Sequence, residues 1–409
     1  MSKQLSTTTY QIPIGPIHPA LKEPVQFEFT IDGERIVDVD VSLGHVHRTI
    51  EWTGMRRNPI QILYLAERIC GICSYCHPMA FALAVERIAN IEVPLRAQYL
   101  RVIHAELERI CSHVLWAGVA AHEIGFDSLL FFTWQIREKV LDLTEYLTGN
   151  RVTKAITMIG GVRRDITSDM LPTIKEGLDF LKENFEKLRH AFLDDKTVKL
   201  RAQGAGILTK EDALKLCAVG PTTRASGVKK DVRIDQPYFA FGDLDFDYVT
   251  PDVLTGEVNG DVYDRIIVRL LEVKQSIDLI EQCLKDMPEG EIVAEPKIAK
   301  LLASLKKVEG EAIGQMEAPR GEVIHYVKMT GQEHPYCWKV RAPTYNNILP
   351  WIPMLLGNQI ADIPIVAAST DPCMSCTNRV TVIENNKTQV FSKEELHRLS
   401  IEKTRRLQR

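Results

Sequence analysis

The sequence predicts an α+β fold, a central bundle of long helices with β-rich lobes at both ends of the chain. Three observations carry this. Alternating strand patterns occupy residues 1–60, helical periodicity dominates 61–310, and strand patterns return over 311–379.

In the first lobe, Val25 to Ile31 alternates, Asp32-Gly33 supplies a turn, and Arg35 to Leu43 alternates again through Ile36, Val39 and Val41, which is a hairpin signature. Behind Pro94, a residue well tolerated at a helix start, Leu95, Tyr99, Ile103, Leu107, Ile110 and Val114 recur at three- and four-residue steps. Further helical patterns cover about 128–147, 169–193 and 261–286, the last with Ile266, Leu270, Val273, Ile277, Ile280 and Leu284 on one stripe. Long helices separated by short Gly/Pro breaks predict a bundle. Beyond Pro319, the pairs Val323-Ile324 and Tyr326-Val327 and the run Trp338 to Val340 read as strands. Residues 1–379 are therefore expected to form one composite domain, followed by a 380–409 tail. The tail shows strand-like Val380 to Ile383 and Thr388 to Phe391 around the turn Glu384–Lys387, then a helix opened by a capping box, Ser392 and Glu395.

With 45% hydrophobic and 25% charged residues in 409, the chain is no disordered polymer. Fifty basic against fifty-four acidic residues, net −4, carry no nucleic-acid signature. No apolar run reaches the ~18 residues of a membrane span, and MSKQLSTTTY lacks the apolar stretch of a secretory signal. A place on the cytoplasmic side is expected, with docking onto a membrane complex compatible with it.

The nine cysteines are more informative. An odd number without an export signal argues for reduced thiols. Cys70, Cys73 and Cys76 lie in RICGICSYCH, and Cys373 and Cys376 lie in DPCMSCTNR. The dispersed Cys111, Cys217, Cys283 and Cys337 are read as small buried hydrophobes, and Cys76 as a packed helix residue. Each C-x-x-C pair can chelate a metal with two sulfurs, and four thiolates form a soft set suited to zinc, iron–sulfur or nickel–iron. Zinc ribbons keep their pairs ~15–20 residues apart. Here Cys73 and Cys373 are 300 apart. Loop closure over that length costs only ~2–3 kcal/mol more, so a shared site is allowed if the intervening fold holds the ends together. From the residues alone, one four-thiol site, two separate sites and unliganded thiols all stay open.

RxCGxC near the N-terminus with DPCxxC near the C-terminus resembles the large subunits of nickel–iron hydrogenases. GPIHPA (15–20), GHVHRTIE (44–51), GGVRRD (160–165), GPTTRASG (220–227), DQPY (235–238), EAPRGEVIHYV (317–327) and RAPTYNN (341–347) extend the resemblance over about 11–380. They are similar to the membrane-associated, energy-conserving branch related to the quinone-site subunit of respiratory complex I. The resemblance implies that Cys70 and Cys373 are terminal nickel ligands, while Cys73 and Cys376 bridge nickel to an iron carrying one carbon monoxide and two cyanides. Four thiolates and two cyanides against Ni(II) and Fe(II) leave about −2 in a buried place, which demands a nearby cation and hydrogen-bond donors. Arg320 is implied as that cation over the metal pair, Asp371 as its holder, and Thr344 as a donor to a cyanide. Cys373 is implied to accept the proton from H2 and Glu23, 47 residues before Cys70, to relay it outward.

Among the other cysteines there is no four-cysteine cluster, so electrons are expected to leave through an iron–sulfur small subunit, with ferredoxin as acceptor and membrane subunits translocating ions. Glu51 matches a magnesium carboxylate of the family, but Arg379 stands where many relatives have a histidine of that site. His104-Ala105-Glu106 also departs from the family's His-Asp-His, so no aspartate role is carried there. Relatives often lose the tail to a maturation protease after nickel-insertion factors have acted, and the same is an open expectation here. Two rivals are a complex I quinone-site subunit, which would use His45 or His47, and a scaffold with a tetrathiolate zinc site. Arg163-Arg164, Lys229-Lys230 and the terminal EKTRRLQR are read as solvated faces or subunit contacts.

Overall fold

The computed structural model describes residues 9–377, 382–384, 387–389 and 393–407. Its first lobe is a three-stranded antiparallel sheet, β1 (Thr9–Ile14), β2 (Gln26–Asp32) and β3 (Arg35–Ser42), in that order. The expected hairpin is β2–β3, turning at Gly33 with φ +63°. Phe27, Phe29 and Ile31 alternate inward, and Phe27 meets the ring of Trp351 at 5.1 Å. Gly15 is required where β1 leaves the sheet, because a Cβ there would lie 2.0 Å from the Val25 carbonyl oxygen.

The helical centre contains α1 (Pro59–Ala66), α2 (Cys76–Ala89), α3 (Leu95–Ile124), α4 (Asp127–Thr148), α5 (Leu171–Leu193) and α6 (Val262–Asp286). Pro94 starts α3 and Gly125, at φ +90°, stops it. At 30 residues this helix is ~45 Å long, and it packs against both α4 and α6.

The second lobe is a three-stranded antiparallel sheet of β4 (Glu309–Ala318), β5 (Gly321–Thr330) and β6 (Cys337–Arg341). Strand patterns in the sequence mark β5 and β6 but not β4, where small residues, Ala312, Gly314 and Ala318, leave Met316 as the one large apolar residue on the inward face. The reason is contact with α2: a Cβ on Gly314 would sit 1.8 Å from the Ala80 carbonyl oxygen. After α7 (Ile363–Ser369) the chain reaches the second cysteine pair. In the tail, Val382–Glu384 pairs with Lys387–Gln389, and a helix spans Lys393–Leu407. Arg379, Val380, Asn385, Asn386, Phe391 and Ser392, on which parts of the tail reading fall, lie outside the described residues.

Apolar side chains from the two three-stranded sheets and the helices join one core, and Cys70, Cys73, Cys373 and Cys376 belong to it. Cys283 is buried as expected, whereas Cys217 is exposed in a loop at φ +55°, which corrects the expectation of burial there. The helix Lys210–Lys215 ends at Leu216, and Cys217 takes the left-handed position just past its cap, at the surface and not on the buried face of the helix. Cys111 and Cys337 are only partly buried.

The core also holds charge. Arg224 bridges Glu272 at 2.7 Å, Glu317 at 2.9 Å and Asp231 at 3.5 Å, while Arg233 joins Asp231 at 2.7 Å to Glu106 at 3.2 Å. Arg109 completes the circuit to Glu106 at 3.0 Å. Burial alone would raise Glu272, but Arg224, His113 and Arg109 outweigh it and hold the carboxyl well below its ordinary range. Removing one member of such a network strands its partner, at a cost of about 3–5 kcal/mol. Glu106, from the departing His104-Ala105-Glu106 segment, is thereby occupied in ion pairs and in accepting from Ser276 at 2.6 Å.

Candidate metal centre

The first cysteine loop leaves α1 and enters α2. Glu108 of α3 fixes its exit by accepting from the backbone N–H groups of Tyr75 at 2.6 Å and Cys76 at 3.0 Å. Within the loop, the N–H groups of Ile72 and Cys73 point at Cys70 Sγ, 3.3 and 3.4 Å away. The second loop follows Asp371, which holds φ +53° ahead of Pro372, and curls into a tight turn over Met374–Cys376. Its first amide is fixed as well: Cys373 N–H donates to Thr344 Oγ1 at 3.1 Å.

Arg48 ties the two loops together. Its guanidinium donates to the carbonyls of Arg68 (3.1 Å) and Ile69 (2.8 Å) before the first pair, and of Ser375 (2.8 Å) inside the second. The surrounding motif GHVHRTIE is visible in the sequence, but nothing in it shows that this arginine spans two distant loops. Five donors in a rigid fork explain why an arginine can serve three carbonyls at once.

All four sulfurs meet. Cys373 Sγ lies 3.1 Å from Cys70 Sγ and 3.1 Å from Cys376 Sγ. The sulfurs of Cys70, Cys73 and Cys376 fall within 4.8 Å of one another, and they are the one group of three or more metal-capable side chains among the described residues. All four cysteines are free and buried. Neighbouring thiols, that of Cys373 foremost, donate toward Cys73 and hold it well below the ordinary thiol range. Charge on Cys73 is met by Arg320, whose Nη1 lies 3.0 Å from its sulfur.

Arg320 sits at the turn between β4 and β5, fully enclosed. Its Nη1 also reaches Ser112 Oγ at 3.3 Å, its Nε donates to the Asp371 carbonyl at 2.7 Å, and its Nη2 donates to Asp371 Oδ1 at 2.8 Å. Burial raises the Asp371 carboxyl against the pull of Arg320 and Arg269, and its Oδ2 has no hydrogen-bond partner among the described residues. The turn is held from behind by close backbone packing, since a Cβ on Gly220 would lie 2.4 Å from Gly321 Cα. Thus GPTTRASG and EAPRG, distant in sequence, are one structural joint.

Glu23 comes from the loop between β1 and β2. Its carboxylate accepts from the Met374 and Ser375 backbone N–H groups and from the Ser375 hydroxyl, one and two residues beyond Cys373. A cavity of about 370 Å³ runs beside it, lined by Glu23, Arg320, Asp371, Met374, Trp116 and Trp351 among others.

Two histidines to which the sequence assigns no role lie at the site, one against a sulfur and the other behind it. His77 Nε2 lies 3.3 Å from Cys376 Sγ, and its Nδ1 lies 3.1 Å from His325 Nε2. Position offered one clue, since His77 falls four residues after Cys73; nothing in sequence pairs it with His325.

The donor set fits a soft, thiolate-bound metal centre: four sulfurs, a buried counter-cation, and an orphaned carboxylate oxygen. It does not fit magnesium at Glu51. That carboxylate accepts from Lys339 Nζ at 3.0 Å and from Val340 N–H at 2.8 Å, and a carboxylate paired with an ammonium is no oxygen cage for a hard cation.

Comparison with known proteins agrees with this chemistry. Residues 48–117, containing the first cysteine pair, match the nickel-dependent hydrogenase family, and residues 123–379, containing the second, match the 49 kDa subunit of respiratory-chain NADH dehydrogenase. The chain is 47% identical to the membrane-bound hydrogenase subunit alpha of Pyrococcus furiosus, across 97% of this chain and 94% of that one. It is 40% identical to the carbon monoxide-induced hydrogenase of Rhodospirillum rubrum, across 91% and 100%. A subunit in the solved structure of the membrane-bound sulfane sulfur reductase, an archaeal respiratory membrane complex, superposes with a TM-score of 0.84 at 30% identity, covering 92% of this chain and all of that one.

Proposed function

The chain belongs to the family that joins nickel-dependent hydrogenases to the 49 kDa subunit of respiratory-chain NADH dehydrogenase, and we propose that it is the catalytic large subunit of a nickel–iron hydrogenase interconverting H2 with protons and electrons. The convergence of four buried thiols from opposite ends of the chain carries the reading. A quinone-site subunit would use His45 or His47 and leaves those thiols without a task.

In this reading Cys70, Cys73, Cys373 and Cys376 would hold the metals, with Cys70 and Cys373 serving nickel and Cys73 and Cys376 serving nickel and iron. Bound there, a nickel–iron centre with carbon monoxide and two cyanides on iron supplies the redox chemistry that cleaves H2. The protein supplies the rest. Arg320, steered by Asp371, offsets the negative charge of the thiolates. Thr344 Oγ1 already accepts from Cys373 N–H, so its own proton is free to be donated to a cyanide. Cys373 Sγ takes the proton, and Glu23, bonded to the very next residues, carries it toward the surface along the cavity. Leu21, Val25, Phe27, Ile72, Leu115 and Val119 give that cavity apolar walls, which would admit H2.

Electrons need a second carrier. The remaining cysteines do not assemble a cluster among the described residues, which supports an iron–sulfur small subunit with ferredoxin as its acceptor. No described helix is long and apolar enough to cross a membrane. One relative is named a membrane-bound hydrogenase subunit and the superposed subunit comes from a respiratory membrane complex, so we place this subunit peripherally, on the cytoplasmic side of ion-translocating partners. Residues 1–379 would act as one composite unit, and a maturation protease would remove the tail after nickel insertion.

Metal analysis and infrared spectra of the purified complex test the proposal. Nickel and iron in equal amounts, with absorptions of metal-bound cyanide and carbon monoxide, are expected; zinc alone would overturn it. Mass spectrometry of the nickel-loaded chain decides the tail, because 46.3 kDa would exclude cleavage.

A further inference from the structure

Trp338, His325 and His77 form a buried row that ends on the sulfur of Cys376. Trp338 Nε1 lies 3.1 Å from His325 Nδ1, His325 Nε2 lies 3.1 Å from His77 Nδ1, and His77 Nε2 lies 3.3 Å from Cys376 Sγ. Fold accounts for the arrangement. Alternation on β5 turns His325 inward with Val323 and Val327, alternation on β6 turns Trp338 and Val340 inward, and the first turn of α2 brings His77 against them. The indole is wedged in place: its six-membered ring fills the space where a Cβ on Gly54 would lie 2.2 Å away, and the edge of Phe81 meets it at 5.7 Å.

The polarity of this row follows from its first member. An indole nitrogen can only donate. His325 Nδ1 must therefore be the lone-pair nitrogen, which puts the ring's single N–H on Nε2. That N–H points at His77 Nδ1, which must in turn accept. The one proton left to His77 is then on Nε2, facing sulfur. The reverse order would set N–H against N–H at the indole and leave a buried donor without an acceptor. Each link is forced by the one before it, with no choice of tautomer remaining.

We propose that Trp338 and His325 are positioning residues for the metal centre: they lock His77 as an Nε2–H tautomer and so keep a hydrogen bond on Cys376 Sγ. This rests on the hydrogenase reading, in which Cys376 is a ligand shared between nickel and iron. A donor on a metal-bound sulfur withdraws electron density from it and tunes the metals behind it. The control is exerted from an indole that touches neither sulfur nor metal ligand.

The test is infrared spectroscopy of the assembled, metal-loaded complex carrying Trp338→Phe, His325→Phe, His325→Gln or Phe81→Leu. With nickel content equal to the parent, W338F and H325F are expected to move the carbon monoxide and cyanide bands to lower wavenumber, since an undonated sulfur is richer in electrons. H325Q, which can still present an amide N–H to His77 Nδ1, should return the bands toward the parent positions. F81L disturbs the packing around the indole but not its N–H, and should leave them in place. Parent-like bands in both W338F and H325F would overturn the proposal. Absence of such bands from the unmutated complex would instead overturn the hydrogenase reading on which it stands.

Discussion

Replacing Glu23 with glutamine separates proton relay from architecture. The carboxylate has two kinds of partner. Oε2 accepts from Met374 N–H and, at 3.3 Å, from Ser375 N–H, while Oε1 takes the Ser375 hydroxyl and, at 3.4 Å, the same amide. Glutamine can keep its oxygen at the first position. Its NH2 then faces the Ser375 hydroxyl, which rotates from donor to acceptor. Only the long contacts to Ser375 N–H weaken, so the structural cost is about 1 kcal/mol. The chemical cost is much larger, because an amide at this position neither takes nor gives a proton at working pH. Loss of a positioned acid–base group is worth roughly 10²–10⁴-fold in rate. E23Q is therefore expected to keep its nickel and an unchanged infrared spectrum while H2 uptake with an artificial acceptor falls by about that factor. Parent-level turnover at equal nickel content would refute the relay.

Two further predictions follow from the supports of the site. Arg48→Ala removes bonds to three carbonyls that join the cysteine loops, at about 1 kcal/mol each; nickel per chain after purification should drop, and full retention would refute the clamp. Burial, reinforced by Asp231 and opposed by Arg224, raises Glu317 to about 7. A folded value above the ordinary 4.5 means that its contribution to stability is complete below that pH and is lost as pH rises through 7. The melting temperature of the unmutated chain relative to Glu317→Gln should therefore fall between about pH 5 and 7.5, and a constant difference would refute it.

Local pattern made the long helices and the β2–β3 hairpin legible, because period 3.6 or period 2 is written directly in the spacing of apolar residues. It failed at β4, where contact with α2 demands a glycine at Gly314 and so interrupts the apolar alternation. It failed also at Cys217, where a positive-φ loop overrode a hydrophobic residue type. The sequence motifs around the site were visible, but their tasks were not. Arg224 of GPTTRASG and Glu317 of EAPRGEVIHYV prove to be partners in a buried ion network, and Arg48 of GHVHRTIE a clamp on carbonyls.

By itself, then, the sequence determined the chemistry available: two chelating sulfur pairs, a cation, and carboxylates of suitable type. Tertiary structure alone decided what those groups face. The sulfurs of Cys70 and Cys373, 303 residues apart, touch only because α3, α6 and the two sheets fix both ends of the chain. Likewise, no local rule says that an indole on β6 dictates the proton of a histidine on α2. Side-chain identity is a property of one position, whereas hydrogen-bond direction belongs to a chain of neighbours that only packing can assemble.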